Sequence, residues 1–138
     1  MKKSYVLDAC GLIAFLTDEK GSEQVESLLK KAEKHECVVY IHQINILEIY
    51  YGIFREDGQD KADETYEKIL ALPVMIIEKL DASVFKEAGR LKATYKISLA
   101  DSIVLAESKI KKAFIVTCDH HEFDILEENK EAKFYWIR

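Results

Sequence analysis

An apolar run that ends on a carboxylate occurs twice in this chain, once near each end. Tyr5-Val6-Leu7 runs into Asp8, and Phe114-Ile115-Val116-Thr117 is followed, one residue on, by Asp119. Short β-branched and aromatic runs of this kind read as buried strands. Apolar residues resume from Leu12 to Leu16, with Gly11 loosening the turn between strand and helix. A carboxylate is costly to bury unless something pairs with it. In an open parallel α/β sheet, a strand's carboxyl end faces the ligand crevice, where such a residue has a use. Asp8 also suits the N-cap of the helix after it. Taken alone it supports either reading; further acids at comparable positions decide between them.

The chain between these runs alternates helix and strand. Ser22 to Lys34 has Val25, Leu28, Leu29 and Ala32 at helical spacing, with charges opposite. Cys37 to Ile41 reads as a second strand, and Val74 to Ile77 as a third. Ile44 to Phe54 is apolar nearly all round, which predicts a helix covered on most sides, with Glu48 in its middle. Arg55 to Asp63 reads as an exposed connection. A helix from about Lys61 to Leu72 points Tyr66, Ile69 and Leu70 inward and stops at Pro73. Asp81 caps a helix over Ala82 to Tyr95, with Val84, Phe85, Ala88 and Leu91 facing in. Ser98 caps a further helix, whose buried body runs through Ile103 to Ala106; this puts Asp101 at its mouth. Phe123, Ile125 and Leu126 pack the turn after Asp119, and Phe134 to Ile137 closes the sheet. The fold class expected is α/β: one domain over residues 1–138, three layers, with a central mainly parallel sheet and helices on both faces.

Composition narrows the function. The 138 residues hold one proline and carry a net charge of −5, which argues against a broad basic surface gripping nucleic acid by counterion release alone. Basic residues at a local rim are Arg55, Lys86, Arg90 and Lys96. The three cysteines, Cys10, Cys37 and Cys118, have no paired spacing, so no disulfide framework is expected. Zinc is not expected either, because Cys118, His120 and His121 have no second ligand pair at a fitting spacing. No apolar run approaches a membrane span, and the start, Met1-Lys2-Lys3-Ser4, is unlike a secretion signal; a cytoplasmic protein with no membrane attachment is expected.

Four acids remain: Asp8 and Asp119 at strand ends, Glu48 and Asp101 in or at buried helices. If they converge, cations must offset their repulsion. Oxygen-only ligands select Mg²⁺ or Mn²⁺. Such an ion can hold a phosphodiester, lower the pKa of a bound water and stabilise the leaving oxygen. There is no serine nucleophile with a base and no phosphate-cradling glycine loop. Hydrolysis of a phosphodiester is the reaction that uses what is present.

The chain resembles the PIN-domain nucleases, and among them the small VapC-type toxins of toxin–antitoxin systems. The resemblance is carried by Val6-Leu7-Asp8-Ala9-Cys10-Gly11-Leu12-Ile13-Ala14, by Ile46-Leu47-Glu48-Ile49, by Ser98-Leu99-Ala100-Asp101-Ser102-Ile103-Val104-Leu105-Ala106, and by Val116-Thr117-Cys118-Asp119-His120-His121-Glu122-Phe123. It implies a PIN-like fold and an endoribonuclease site binding Mg²⁺ or Mn²⁺. In such a site Asp8 and Asp101 are the main ligands, Glu48 ligates or orients the attacking water, and Asp119 completes the set. Glu122 is a weaker candidate. Cys10 stands where relatives often carry a hydroxyl or amide residue, so support for Asp8 has to come from elsewhere, such as Thr117. The resemblance also implies an RNA substrate, a homodimer and a cognate antitoxin whose tail covers the groove. Ile49, Tyr50, Tyr51 and Ile53 supply more apolar surface than one core needs.

Two other readings compete. One is a catalytically silent PIN-like module that binds RNA or protein. The other is a receiver-like phosphoacceptor, disfavoured because Asp8 has no acidic neighbour before Asp18 and the Thr117 loop has no lysine.

Overall fold

The computed structural model describes residues 2–138. In chain order the elements are β1 (Lys3–Leu7), α1 (Ala9–Leu16), α2 (Ser22–Glu33), β2 (Cys37–His42), α3 (Gln43–Asp57), α4 (Gln59–Leu70), β3 (Met75–Ile77), α5 (Ala82–Thr94), α6 (Leu99–Lys111), β4 (Phe114–Thr117), α7 (His120–Glu128) and β5 (Lys133–Trp136). The five strands pair in the order β3-β2-β1-β4-β5, every pair parallel. From β1 the chain winds outward to β2 and β3, then returns to lay β4 on the other side of β1. The adjacent carboxyl ends of β1 and β4 are therefore the switch point, where a crevice opens in folds of this kind. Register pairs Leu7 with Val116, so Asp8 and the Cys118–Asp119 turn leave the sheet side by side.

Side-chain alternation along the strands sorts the core into two layers. Leu7, Val39 and Ile41 face α1, α2 and α3, packing with Leu12, Leu28 and Ile46. Val6 and Ile115 face the other way, packing with Val84, Leu91, Leu105 and Phe123 of α5, α6 and α7. The result is a three-layer α/β/α sandwich. Each fully buried Leu or Phe contributes roughly 1.5–3 kcal/mol relative to exposure, so the central strands are the rigid part on which the loops depend.

The structure corrects the sequence reading at several places. Arg55 to Asp63 is not a connection, since α3 continues to Asp57 and α4 begins at Gln59. Only Gly58 intervenes, at φ +93°, a left-handed value that glycine takes without a Cβ penalty. On α4 the buried positions are Ala62, Thr65 and Ile69, so Ile69 faces in as expected, while Tyr66 and Leu70 are exposed. Phe85 is 64% exposed and Ile125 47%, so neither packs inward. Nor is α3 covered on most sides: Leu47, Tyr51 and Phe54 lie exposed along one face, while Ile49 is core. His120, His121 and Glu122 form the first turn of α7.

Arg90 is not free for a basic rim. Its guanidinium pairs with Glu87 at 2.9 Å and Glu131 at 2.7 Å, and Lys109 reaches the same two carboxylates at 2.8 Å each. This network ties α5 and α6 to the segment before β5. Among the described residues no helix is long and apolar enough to cross a membrane.

Candidate active site

Asp8 is the N-cap of α1: its Oδ1 accepts from the Gly11 N–H at 2.7 Å. Its other oxygen, Oδ2, accepts from Thr117 Oγ1 at 2.5 Å. The Thr117 hydroxyl in turn accepts from the Asp119 N–H at 3.0 Å. One buried hydroxyl thus joins the ends of β1 and β4, and a local cap becomes part of a tertiary link. Gly11 is needed for close approach rather than for a loose turn. A Cβ there would stand 2.8 Å from the Val116 carbonyl oxygen and 2.9 Å from a Leu7 methyl.

Cys10 and Cys118 are joined by a disulfide across the same junction, their Cα atoms 6.0 Å apart. This corrects the expectation of unpaired cysteines. Sequence spacing carried no sign of the pairing, because the parallel β1–β4 ladder brings together residues 108 positions apart. With Cys10 held in the bridge, the support for Asp8 comes from Thr117, as the sequence suggested.

The other acids reach the same crevice from three elements. Ser98 caps α6 by accepting from the Asp101 N–H at 3.1 Å, which sets Asp101 at the helix mouth. Asp119 caps α7 by accepting from the Glu122 N–H at 3.1 Å. Glu48, half-buried on α3, accepts from Asn45 Nδ2 at 3.1 Å. Asn45 is fully buried and its Oδ1 has no partner. It went unnoticed in the sequence, although an amide three residues before a buried acid on a helix lies on the same face. Arg55, one turn after Tyr51 on α3, lies over the Tyr51 ring at 5.5 Å.

Electrostatics shows which acids share a field. Burial pushes Asp8 up from 3.8 to about 7, with Thr117 and Gly11 opposing and the charges of Asp101 and Asp119 adding to the rise. Burial likewise pushes Asp101 up to about 7, with Asp119, Glu122 and Glu48 adding to it. Burial raises Glu48 also, against its bond from Asn45. Asp8, Asp101, Asp119, Glu122 and Glu48 therefore bear on one region, and the largest influences on Asp8 and Asp101 include no lysine or arginine.

No three His, Cys, Asp or Glu side chains among the described residues are arranged to hold a metal ion as they stand. Like-charged carboxylates with no cation between them keep apart. The donor set nonetheless fits a hard divalent ion: every donor is oxygen, and the buried Asp8 and half-buried Asp101 have no lysine or arginine among the largest influences on them.

An open groove of about 360 Å³ runs beside Glu48 between α1 and α3, lined by Ile13, Leu16, Ile49 and Ile53, with Glu56 and Asp57 at its edge. A larger apolar groove of about 500 Å³ lies on the α3–α4 face around Leu47, Tyr50 and Tyr66; none of the acids of the site lines it.

A parallel α/β sandwich with acids gathered at its β1/β4 switch point defines the class, and a family model narrows it. The PIN domain model matches residues 5–128, and the chain belongs to that family. No curated protein sequence matches the chain. Among solved structures it is similar in fold to DNA-bound VapBC from Salmonella typhimurium, with a TM-score of 0.76 at 14% identity over 100% of both chains. It is similar to VapBC2 from Rickettsia felis, bound to a promoter DNA fragment, with a TM-score of 0.75 at 15% identity over 96% of this chain and 98% of the other. It is also similar to VapC20 of Mycobacterium tuberculosis, a toxin that cleaves the sarcin-ricin loop, with a TM-score of 0.65 at 13% identity over 88% and 94%.

Proposed function

We propose that this chain is a divalent-metal-dependent endoribonuclease, the toxin of a toxin–antitoxin pair. The observation that carries the reading is the pair of carboxyls Asp8, buried, and Asp101, half-buried, each raised to about 7 and each sensing further acids, with no lysine or arginine among the largest influences on either. Membership of the PIN family and the likeness to VapBC toxins support it.

Asp8 and Asp101 would hold Mg²⁺ or Mn²⁺, with Asp119 and Glu48 completing the set and Glu122 at its edge. When bound, the ion supplies a Lewis acid and a more acidic water. Thr117 fixes the rotamer of Asp8, leaving the second lone pairs of its carboxylate for a ligand. Asn45 holds Glu48 where it can accept a proton from an attacking water. The scissile phosphate would lie over the carboxyl ends of β1 and β4.

A cognate antitoxin fits the groove beside Glu48. Its apolar walls and acidic edge suit an amphipathic segment carrying basic side chains. The exposed Leu47, Tyr51 and Phe54 on α3 suit a second copy of the chain, and a cytoplasmic site of action goes with this reading.

The test is end-mapping of total cellular RNA incubated with purified protein and Mn²⁺, beside Asp8→Asn and Asp101→Asn. Discrete new ends made by the parent and lost in folded variants support the reading. Equal cleavage by parent and variants overturns it. Mn²⁺ binding with no cleavage of any RNA would favour the silent binding module.

A further inference from the structure

We propose that Cys10–Cys118 is a thiol–disulfide exchange site, and that its state sets how firmly the Asp119 turn is held against Asp8. The consequence for cation binding rests on the metal-dependent reading above; the order of the turn does not.

The placement carries the proposal. Cys10 lies two residues after Asp8, in the first turn of α1, and Cys118 lies one residue before Asp119. The bridge therefore spans the two strand ends that present the acids. Both cysteines are only half-buried, so a reductant can reach them. The third cysteine, Cys37, is buried and its Sγ donates to the Leu28 carbonyl oxygen, so the folded chain offers no rival pairing. Exchange is confined to one pair.

The two sides of the bridge are unequally anchored. On the α1 side, Gly11 is packed against the Val116 carbonyl with no room to spare, and Leu12 is fully buried. On the other side β4 ends at Thr117, whose carbonyl accepts from the Ile137 N–H at 3.1 Å. Beyond it, α7 is pinned by His120, stacked on Trp136 at 3.9 Å. Between these anchors, Cys118 and Asp119 are tied to β4 by the Asp119 N–H to Thr117 Oγ1 and to α7 by the His120 N–H to the Cys118 carbonyl oxygen and the Phe123 N–H to the Asp119 carbonyl oxygen, while the bridge is their one covalent tie to α1. Non-bonded sulfurs stand farther apart than bonded ones. Opening the bridge therefore displaces the less anchored partner, Cys118, and carries Asp119 with it.

The exchange balances with a dithiol as reductant. Its thiolate attacks one sulfur, the Sγ–Sγ bond breaks, and the other sulfur leaves as a thiolate that takes up a proton. The reductant's second thiol resolves the mixed disulfide. Two electrons and two protons end on Cys10 and Cys118, and the dithiol becomes a disulfide. A disulfide oxidant reverses the reaction.

The experiment compares the full chain oxidised, reduced with a phosphine that is then removed, and as Cys10→Ser/Cys118→Ser, with bridge state read by mass after alkylation. Hydrogen exchange at the Asp119 and Glu122 amides is expected to speed up roughly tenfold on reduction, while Val6 and Leu7 stay protected. Mn²⁺ affinity is expected to fall roughly tenfold in parallel, as for loss of a supporting contact. Oxidised glutathione should restore the reduced parent, and the double variant should ignore both reagents. Unchanged exchange at Asp119 and Glu122 between verified oxidised and reduced chains overturns the proposal. So does an oxidised sample in which both cysteines take up alkylating agent. If the turn responds but no form binds Mn²⁺, the exchange site stands and the metal reading of the acids fails.

Discussion

Two groups of carboxylates in this protein titrate in opposite directions. At the crevice, Asp8 and Asp101 are pushed up to about 7 by burial and by one another's neighbours. At the other end of α6, Glu87 and Glu131 are held down at about 2, chiefly by hydrogen bonds from Arg90, with Lys109 adding to it. Both groups gather acids from distant parts of the chain. The difference is that the second group comes with its own cations. The crevice acids have no such bases among the largest influences on them, which supports the proposed role of a cation from outside. The ion-pair network is a structural tie; the crevice acids are the ones we propose as the site.

The largest effect expected from breaking this contrast is on turnover. Asp8→Asn or Asp101→Asn should lower RNA cleavage roughly a hundredfold or more, measured by initial rates in Mn²⁺, because each removes a charge the ion needs. Removing Arg90 should leave those rates unchanged. Thr117→Val deletes the hydroxyl that joins Asp8 to Asp119. A loss of roughly tenfold in Mn²⁺ affinity by calorimetry is expected, in line with other supporting contacts.

The pH dependence should also differ between the two regions. A carboxyl whose folded value is raised from 3.8 to about 7 stabilises the fold below pH 4 and loses that contribution as pH rises to about 7. Without metal, Asp8→Asn should therefore melt increasingly above the parent between pH 5 and pH 8, by several degrees, and Mn²⁺ should close the gap. Carboxyls held at about 2 behave in the reverse sense. Their contribution is complete above about 4.5 and is lost as pH falls toward 2, so the network adds no slope in the neutral range. Arg90→Met should cost about 1 kcal/mol in urea unfolding at pH 7, the ordinary size for a half-exposed pair. A much larger loss would mean that the network is central to stability, and would blunt the contrast.

Much of this was legible in the sequence because it is written locally. Strand, carboxylate, helix is a pattern of neighbours, so Asp8, Asp119 and the caps at Ser98 and Asp81 could be read directly. Glu48 and Asp101 stood out as charges in apolar surroundings. What failed was what depends on tertiary choice. Phe85 and Tyr66 have helical spacing that suits a core, yet α4 and α5 turn smaller residues inward. Gly58 ended one helix and began another, because its positive φ made a corner that polar composition alone read as a loop. The Cys10–Cys118 bridge was invisible, since only strand order brings β1 beside β4. The same holds for the network at Glu131, which joins residues separated by up to 41 positions. Partners that far apart leave no periodic trace.

The central claim is that acids presented by four helices, α1, α3, α6 and α7, share one divalent cation. Electron paramagnetic resonance titration of Mn²⁺ into the parent, Asp8→Asn and Asp101→Asn at pH 8 tests it most directly. The claim predicts saturable loss of the free Mn²⁺ signal with the parent and little loss with either folded variant. Equal uptake by all three proteins, or none by the parent, would contradict it.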